Sequence, residues 1–260
     1  MFSLPFLRTG RRRNGSSDDR LGRICKVLDQ LDLDYPPENP ESALALLPPS
    51  PMLRNSGPAK LQALQLPLKI PGRVAVLDGG FDLGGKNSPP NIRELPGSAM
   101  PELLEYAPEA IVAPLDTALW LADRKLRGLG EIPSLRIAMV VTTRIDDTPL
   151  ADHHRELLWH AFEVPIFEQL KAWDGTVIAR ECEVHDGLHV ADREAILHLY
   201  DDELLVTQLT AVPLPVVRTR TGFTAEMVPE HCECGAETPR IRSVVPVKPK
   251  VMAAAGGRRG

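Results

Sequence analysis

The chain has 260 residues, 43 % of them hydrophobic, and a formal net charge of −5; it can bury a core as one large or two small domains. The acidic balance excludes the electrostatic footprint of a nucleic-acid or anionic-lipid binder, and no run approaches the roughly 20 apolar residues of a membrane span. Four cysteines, three of them accounted for below by a candidate metal site, argue against a disulfide framework and for a reducing, cytoplasmic setting.

Residues 1–20, with Arg11, Arg12 and Arg13 and the run GSSDD, read as a disordered basic tail. Residues 21–72 are proline-rich, with one expected helix in which Leu21, Ile24, Leu28 and Leu31 recur at helical spacing before Pro36. An α/β subdomain is expected over 73–175. It begins with an apolar strand at Val74–Leu77 and a glycine-rich loop over 79–91. A helix at Pro101–Tyr106 and a strand at Ala110–Ala113 follow. The next helix, capped by Asp116, runs to Leu126 with Leu119, Ala122 and Leu126 on one face. A strand at Leu135–Val141, a helix opening at Thr148 or Asp152 and ending near Phe162, and a strand at Pro165–Phe167 complete this half. Helices alternating with short apolar runs predict a mostly parallel sheet.

Over 176–245 the pattern changes to strands alone, at Val177–Cys182, Ala195–Tyr200, Leu204–Leu209 and Pro215–Arg220, joined by polar turns. This is expected to be a small antiparallel region, and residues 246–260 a flexible tail. The region holds Cys182, Cys232 and Cys234 with nearby histidines, and thiolate with imidazole in Cys₃His proportion is a tetrahedral zinc donor set. Buried inert cysteines would be scattered rather than grouped as a Cys-x-Cys beside a Cys/His pair. Spacing alone leaves His185, His189 and His231 open as the fourth ligand. A zinc held by four protein ligands is structural, with no open position for chemistry. His153, His154 and His160 fit an ordinary helix face, Asp146 and Asp147 a loop and helix cap, and Cys25 an inert position on the first helix.

The runs ECEVHDGLHV (181–190), LLVTQL (204–209), LPVVRTRTGF (214–223) and HCECGAETPRI (231–241) occur in one order and spacing. With the alternating half before them, they resemble the adenylate-forming ligases, in particular the phenylacetate–CoA ligase branch. The resemblance extends from about residue 101 to 242. It implies the layers of that family's N-terminal core plus a small zinc-stapled β region, and selects His189 with Cys182, Cys232 and Cys234 as the metal ligands. It also implies ATP, magnesium and a carboxylate substrate, converted through an acyl-adenylate. The residues for that task are altered. Gly79-Gly80, Gly84-Gly85 and SGPAK (56–60) are poor phosphate loops; Thr142 and Thr143 replace the acidic adenine-lining pair. Leu170 to Asp174 stands for Tyr-Gly-x-x-Glu, leaving Asp174 as the only remnant catalytic candidate, and Phe223 replaces the ribose-binding aspartate. No counterpart of the mobile C-terminal lid is legible after Arg242. The expectation is a degenerate ligase-like protein that does not adenylate alone, acting with a protein partner (a pathway enzyme or an intact ligase) or as a homo-oligomer. The alternatives are an active ligase or acyltransferase with an atypical site, using ATP and Mg²⁺, and a carboxylate- or acyl-binding module.

Overall fold

The computed structural model describes residues 17–33, 35–36, 38–51, 72–78, 90–209 and 216–247. The candidate phosphate loops at 79–85 and 56–60 lie outside these residues, as do most of the two expected tails.

Two helices open the described chain. Helix α1 (Ser17–Gln30) begins within the expected 1–20 tail and buries Ile24, Val27 and Leu28, whereas Leu21, expected on its apolar face, is exposed and Leu31 lies past its end. Helix α2 (Pro40–Leu46) falls where irregular structure is expected; Asn39 caps it by accepting from the Ser42 amide, and Pro40 supplies the fixed φ favoured in a first turn. Both pack with Ile196, Leu209 and Val217 of the antiparallel half.

The α/β half follows the predicted alternation. Strands β1 (Val74–Leu77), β2 (Ile92–Leu95), β3 (Ala110–Pro114), β4 (Ala138–Arg144) and β5 (Ile166–Lys171) form a parallel array in the order β2-β1-β3-β4-β5. Helices α3 (Met100–Tyr106), α4 (Leu115–Leu126) and α5 (Asp152–Phe162) lie between them. Strand residues alternate between two faces: Ala75, Leu77, Ile111, Met139 and Val141 join the core under the helices, whereas Val74, Val76, Val112, Val140 and Phe167 form the opposite one. Helix α4 turns Leu115, Ala118, Leu121 and Ala122 inward, each buried leucine contributing about 1.5–3 kcal/mol. Leu126, expected on that face, is exposed. Asp116 lies inside the first turn rather than at the cap, which Pro114 occupies. Helix α5 starts at Asp152, where the His154 Nδ1 accepts from the Ala151 amide.

Strands β6 (Val177–Glu181), β7 (Leu188–Val190), β8 (Ala195–Tyr200), β9 (Glu203–Gln208), β10 (Thr219–Val228) and β11 (Arg240–Pro246) are antiparallel, in the order β6-β7-β11-β10-β9-β8. They continue the same sheet, because β5 pairs with β6. The small β region is thus a hydrogen-bonded extension of the parallel layer, and the resulting 11-stranded sheet is mixed. Its change of direction falls at the tight Lys171–Val177 turn, which can only join antiparallel strands.

Candidate functional site

The antiparallel half brings Cys182, His189, Cys232 and Cys234 together, all four donor atoms lying within 4.8 Å of one another. Cys182 directly follows β6, His189 is the middle residue of β7, and both other cysteines sit in the loop between β10 and β11. Pairing of β7 with β6 and β11 fixes His189 opposite Arg180 and Arg240. The Cys182–His189 loop returns through Gly187 at φ 85°, where an added Cβ would sit 2.7 Å from the Ile241 carbonyl oxygen. Cys232 and Cys234 share a tight turn closed by the Gly235 amide donating to the Cys232 carbonyl at 3.0 Å.

Two of the donor spacings match the edge of a coordination tetrahedron. Cys182 Sγ and Cys232 Sγ are 3.7 Å apart, and Cys234 Sγ is 3.5 Å from His189 Nε2. Metal–sulfur bonds of about 2.3 Å in a tetrahedron give an edge of roughly 3.8 Å. His189 Nδ1 lies 3.1 Å from the Thr238 hydroxyl; a hydrogen bond there leaves Nε2, the atom facing the cysteines, as the ligand nitrogen. Burial, then the Arg240 charge, lowers the His189 pKa and keeps the ring neutral, as a ligand must be. Burial pushes the Cys182 thiol up to about 12, while the Cys234 amide donating to the Cys232 sulfur holds that thiol below its usual range. Three thiolates around one divalent cation carry a net negative charge. Arg240, 2 % exposed and bonded to Asp186 and the Glu230 carbonyl, is a cation placed beside them. This Cys₃His cluster could hold a metal ion. The other two histidines lie elsewhere: His185 stacks on Phe167 and faces Glu181, and His231 is exposed.

A cleft of about 370 Å³ opens at the carboxyl ends of the parallel strands, lined by Asp78, Pro114, Thr142, Arg144, Lys171 and Trp173 among others. Open α/β sheets bind ligands at this edge. Thr142 and Thr143, which the sequence placed at nucleotide-binding positions, therefore border one cavity together with Trp173. Asp174 points its carboxylate elsewhere. One oxygen accepts from the Thr176 amide and Gln208 Nε2, the other from the Thr176 hydroxyl, so it closes the β5–β6 turn. Phe223 is a buried residue of β10, its amide donating to the Thr221 hydroxyl.

Two features had no sequence-level assignment. Lys171 is 6 % exposed on the cleft, and burial, then Arg144, lowers its pKa to about 8. Behind the sheet, Arg155 of α5 donates to both oxygens of Glu181 at 3.1 and 2.8 Å and to Glu168 at 3.3 Å. Glu168 also accepts from the Thr143 hydroxyl at 2.7 Å, and its amide donates to Glu181. Burial nevertheless raises the Glu168 pKa to about 7. A lysine and a glutamate within the otherwise uncharged stretch IFEQLK were the available signal. Strand parity puts them on opposite faces.

No protein-family model matches the sequence, and no curated protein matches it. The fold, however, resembles that of 2-hydroxyisobutyryl-CoA ligase. In its complex with 2-HIB-AMP and CoA in the thioesterification state, that ligase aligns with a TM-score of 0.63 at 11 % identity, over 88 % of this chain and 68 % of the ligase chain. Its postadenylation state aligns at 0.58 and 11 % identity, over 85 % and 65 % of the two chains. An open conformation gives 0.54 at 12 % identity, over 67 % and 45 %. The chain thus spans about half to two thirds of the length of these ligase structures. At such identities the likeness shows the fold alone, that of 2-hydroxyisobutyryl-CoA ligase. Among the described residues no helix is long and apolar enough to cross a membrane.

Proposed function

We propose that this protein is a degenerate relative of the phenylacetate–CoA ligase branch, stapled by one structural zinc ion, which does not form acyl-adenylates alone and serves as a binding or assembly partner in a biosynthetic pathway. The observation that carries the zinc assignment is the convergence of Cys182, His189, Cys232 and Cys234 within 4.8 Å. Soft thiolates with one imidazole suit Zn²⁺, and four protein ligands leave no position for an activated water. Bound there, zinc supplies no step of a reaction; it ties the Cys232–Cys234 turn to the end of β6 and to β7.

The loss of adenylation is supported by residues with other employment. Asp174 spends both oxygens on Thr176 and Gln208, and Phe223 offers a buried ring where a ribose-binding carboxylate is expected. Asp116 and Asp147 at the cleft disfavour a triphosphate by like-charge repulsion. The cleft itself favours a second reading, an acyl-binding module or a ligase or acyltransferase with an atypical site, since a cavity of about 370 Å³ with apolar wall residues persists there.

Two measurements test the proposal. Elemental analysis of protein purified without chelator should find one zinc per chain, and its absence removes the staple. ATP–pyrophosphate exchange across a panel of aryl and aliphatic acids should stay at background. Exchange that is lost in Asp174→Ala would instead establish an active ligase.

A further inference from the structure

We infer that Lys171 is a nucleophilic amine that captures a small aldehyde or ketone as an imine inside the cleft at the strand ends. The inference is independent of the zinc staple and of the adenylation question. The side chain leaves the carboxyl end of β5 and borders a cavity of about 370 Å³ while only 6 % exposed. Arg144, in register with Lys171 on the neighbouring strand and itself paired with Asp146, puts a second cation alongside. An amine that is desolvated and set next to another cation loses its proton readily, which is how proteins activate lysine as a nucleophile; burial and Arg144 lower this one in that order, with Glu94 opposing them.

The rest of the cleft selects a neutral carbonyl compound over an anion. Pro114, Leu115, Leu119 and Trp173 give it an apolar wall. Asp116 and Asp147 are exposed at its border, and Asp78 is already tied to the Gly97 amide and the Thr117 hydroxyl. A carboxylate or nucleotide entering would meet these negative charges, whereas an aldehyde would not. Thr142 shares the sheet face of Arg144, is 6 % exposed, and its hydroxyl has no hydrogen-bond partner among the described residues. It is a donor for the carbonyl oxygen.

The step balances without a further reagent. The Nζ lone pair attacks the carbonyl carbon, giving a carbinolamine; the nitrogen releases its two protons as the carbonyl oxygen leaves as water, and a C=N bond remains. Amine plus carbonyl gives imine plus water.

The test uses the full chain, propanal, and cyanoborohydride to fix the imine as a secondary amine, read by peptide mass spectrometry. Exposed Lys26 on α1 is the internal reference. A pKa near 8 against the ordinary 10.5 leaves a neutral-amine fraction over a hundred times larger at pH 7.5, so even with restricted access Lys171 should label at least about ten-fold faster. Labelling should saturate with propanal and quicken as pH rises through about 8. Thr142→Val should slow it, and Lys171→Arg should abolish it while leaving metal content and circular dichroism unchanged. Labelling of Lys171 no faster than Lys26, or strictly linear in propanal, overturns the inference. Both readouts come from the unaltered chain and stand even if a variant fails to fold.

Discussion

Replacing Glu168 by glutamine should change how stability depends on pH. Glu168 sits 8 % exposed between Thr143, Arg155 and Glu181. Its pKa is raised from 4.5 to about 7, first by burial, with Glu181 adding to the rise and Thr143 and Arg155 opposing it. The folded protein therefore holds this proton to higher pH than the unfolded chain does. Below pH 4.5 both states carry it and the stability is fully present; it declines as pH rises and is lost once pH passes about 7. A rise of about 2.5 units corresponds to roughly 3 kcal/mol over the whole window, of which roughly 2 kcal/mol falls between pH 5.5 and 8. Glutamine keeps an acceptor for Thr143 and Arg155 and cannot ionise. Urea unfolding of both proteins at pH 5.5, 6.5, 7.5 and 8 should show the variant gaining on the parent by about 2 kcal/mol across the series. Lys171 titrates in both proteins and cancels in the difference. A difference that stays constant with pH would mean that Glu168 is ionised throughout and that Arg155 outweighs burial.

Cys232→Ser should release the metal, lowering zinc from one per chain toward zero by elemental analysis and destabilising the fold by several kcal/mol, because metal affinity is coupled to folding; an excess of strong chelator should do the same to the parent. Gly187→Ala should lower Tm and weaken zinc retention together, since the position needs φ 85° and has backbone 2.7 Å from the new Cβ. Phe223→Asp should give no ATP–pyrophosphate exchange and should cost about 3–5 kcal/mol, comparable to deleting a buried aromatic, in chemical denaturation.

The parts of the fold that were legible in the sequence are those where one face or both are apolar. Val74–Leu77 is buried on both faces and reads as an unbroken run, and its limits match β1. Strand β2, IREL, has only Leu95 buried, so it carries no such signal, and β7 and β11 are set by pairing with neighbours rather than by pattern. Helix α2 was hidden because proline density suggests irregular chain, although Asn39-Pro40 is a start signal. The metal cluster was legible because its donors are rare residue types grouped in two pairs. The cleft was not. Its residues come from β3, β4, β5, helices α4 and α5 and the loops after β1, β4 and β5, separated in sequence and brought together by the parallel register.

On the proposed reading, that register also explains why the scaffold persists without the nucleotide chemistry. Adenylation depends on a few loop and turn side chains holding phosphate, ribose and magnesium, and each can be replaced without breaking a strand pair. Asp174 illustrates this: its carboxylate closes the β5–β6 turn and reaches Gln208 of β9. The sheet, by contrast, has no seam at which a half could be dropped. β5 pairs with β4 on one side and β6 on the other, so the parallel and antiparallel halves share their central hydrogen bonds. The four-donor cluster then lies at the β6–β7–β11 strands, where Cys182, His189 and the loop before Arg240 meet. A metal bound there would tie the end of β6, β7 and the β10–β11 loop together beside the parallel half, while the sheet edge at β8 lies three strands beyond β11. On the proposed reading, a binding surface or a reactive lysine needs the sheet and the cross-link but not the adenylation residues.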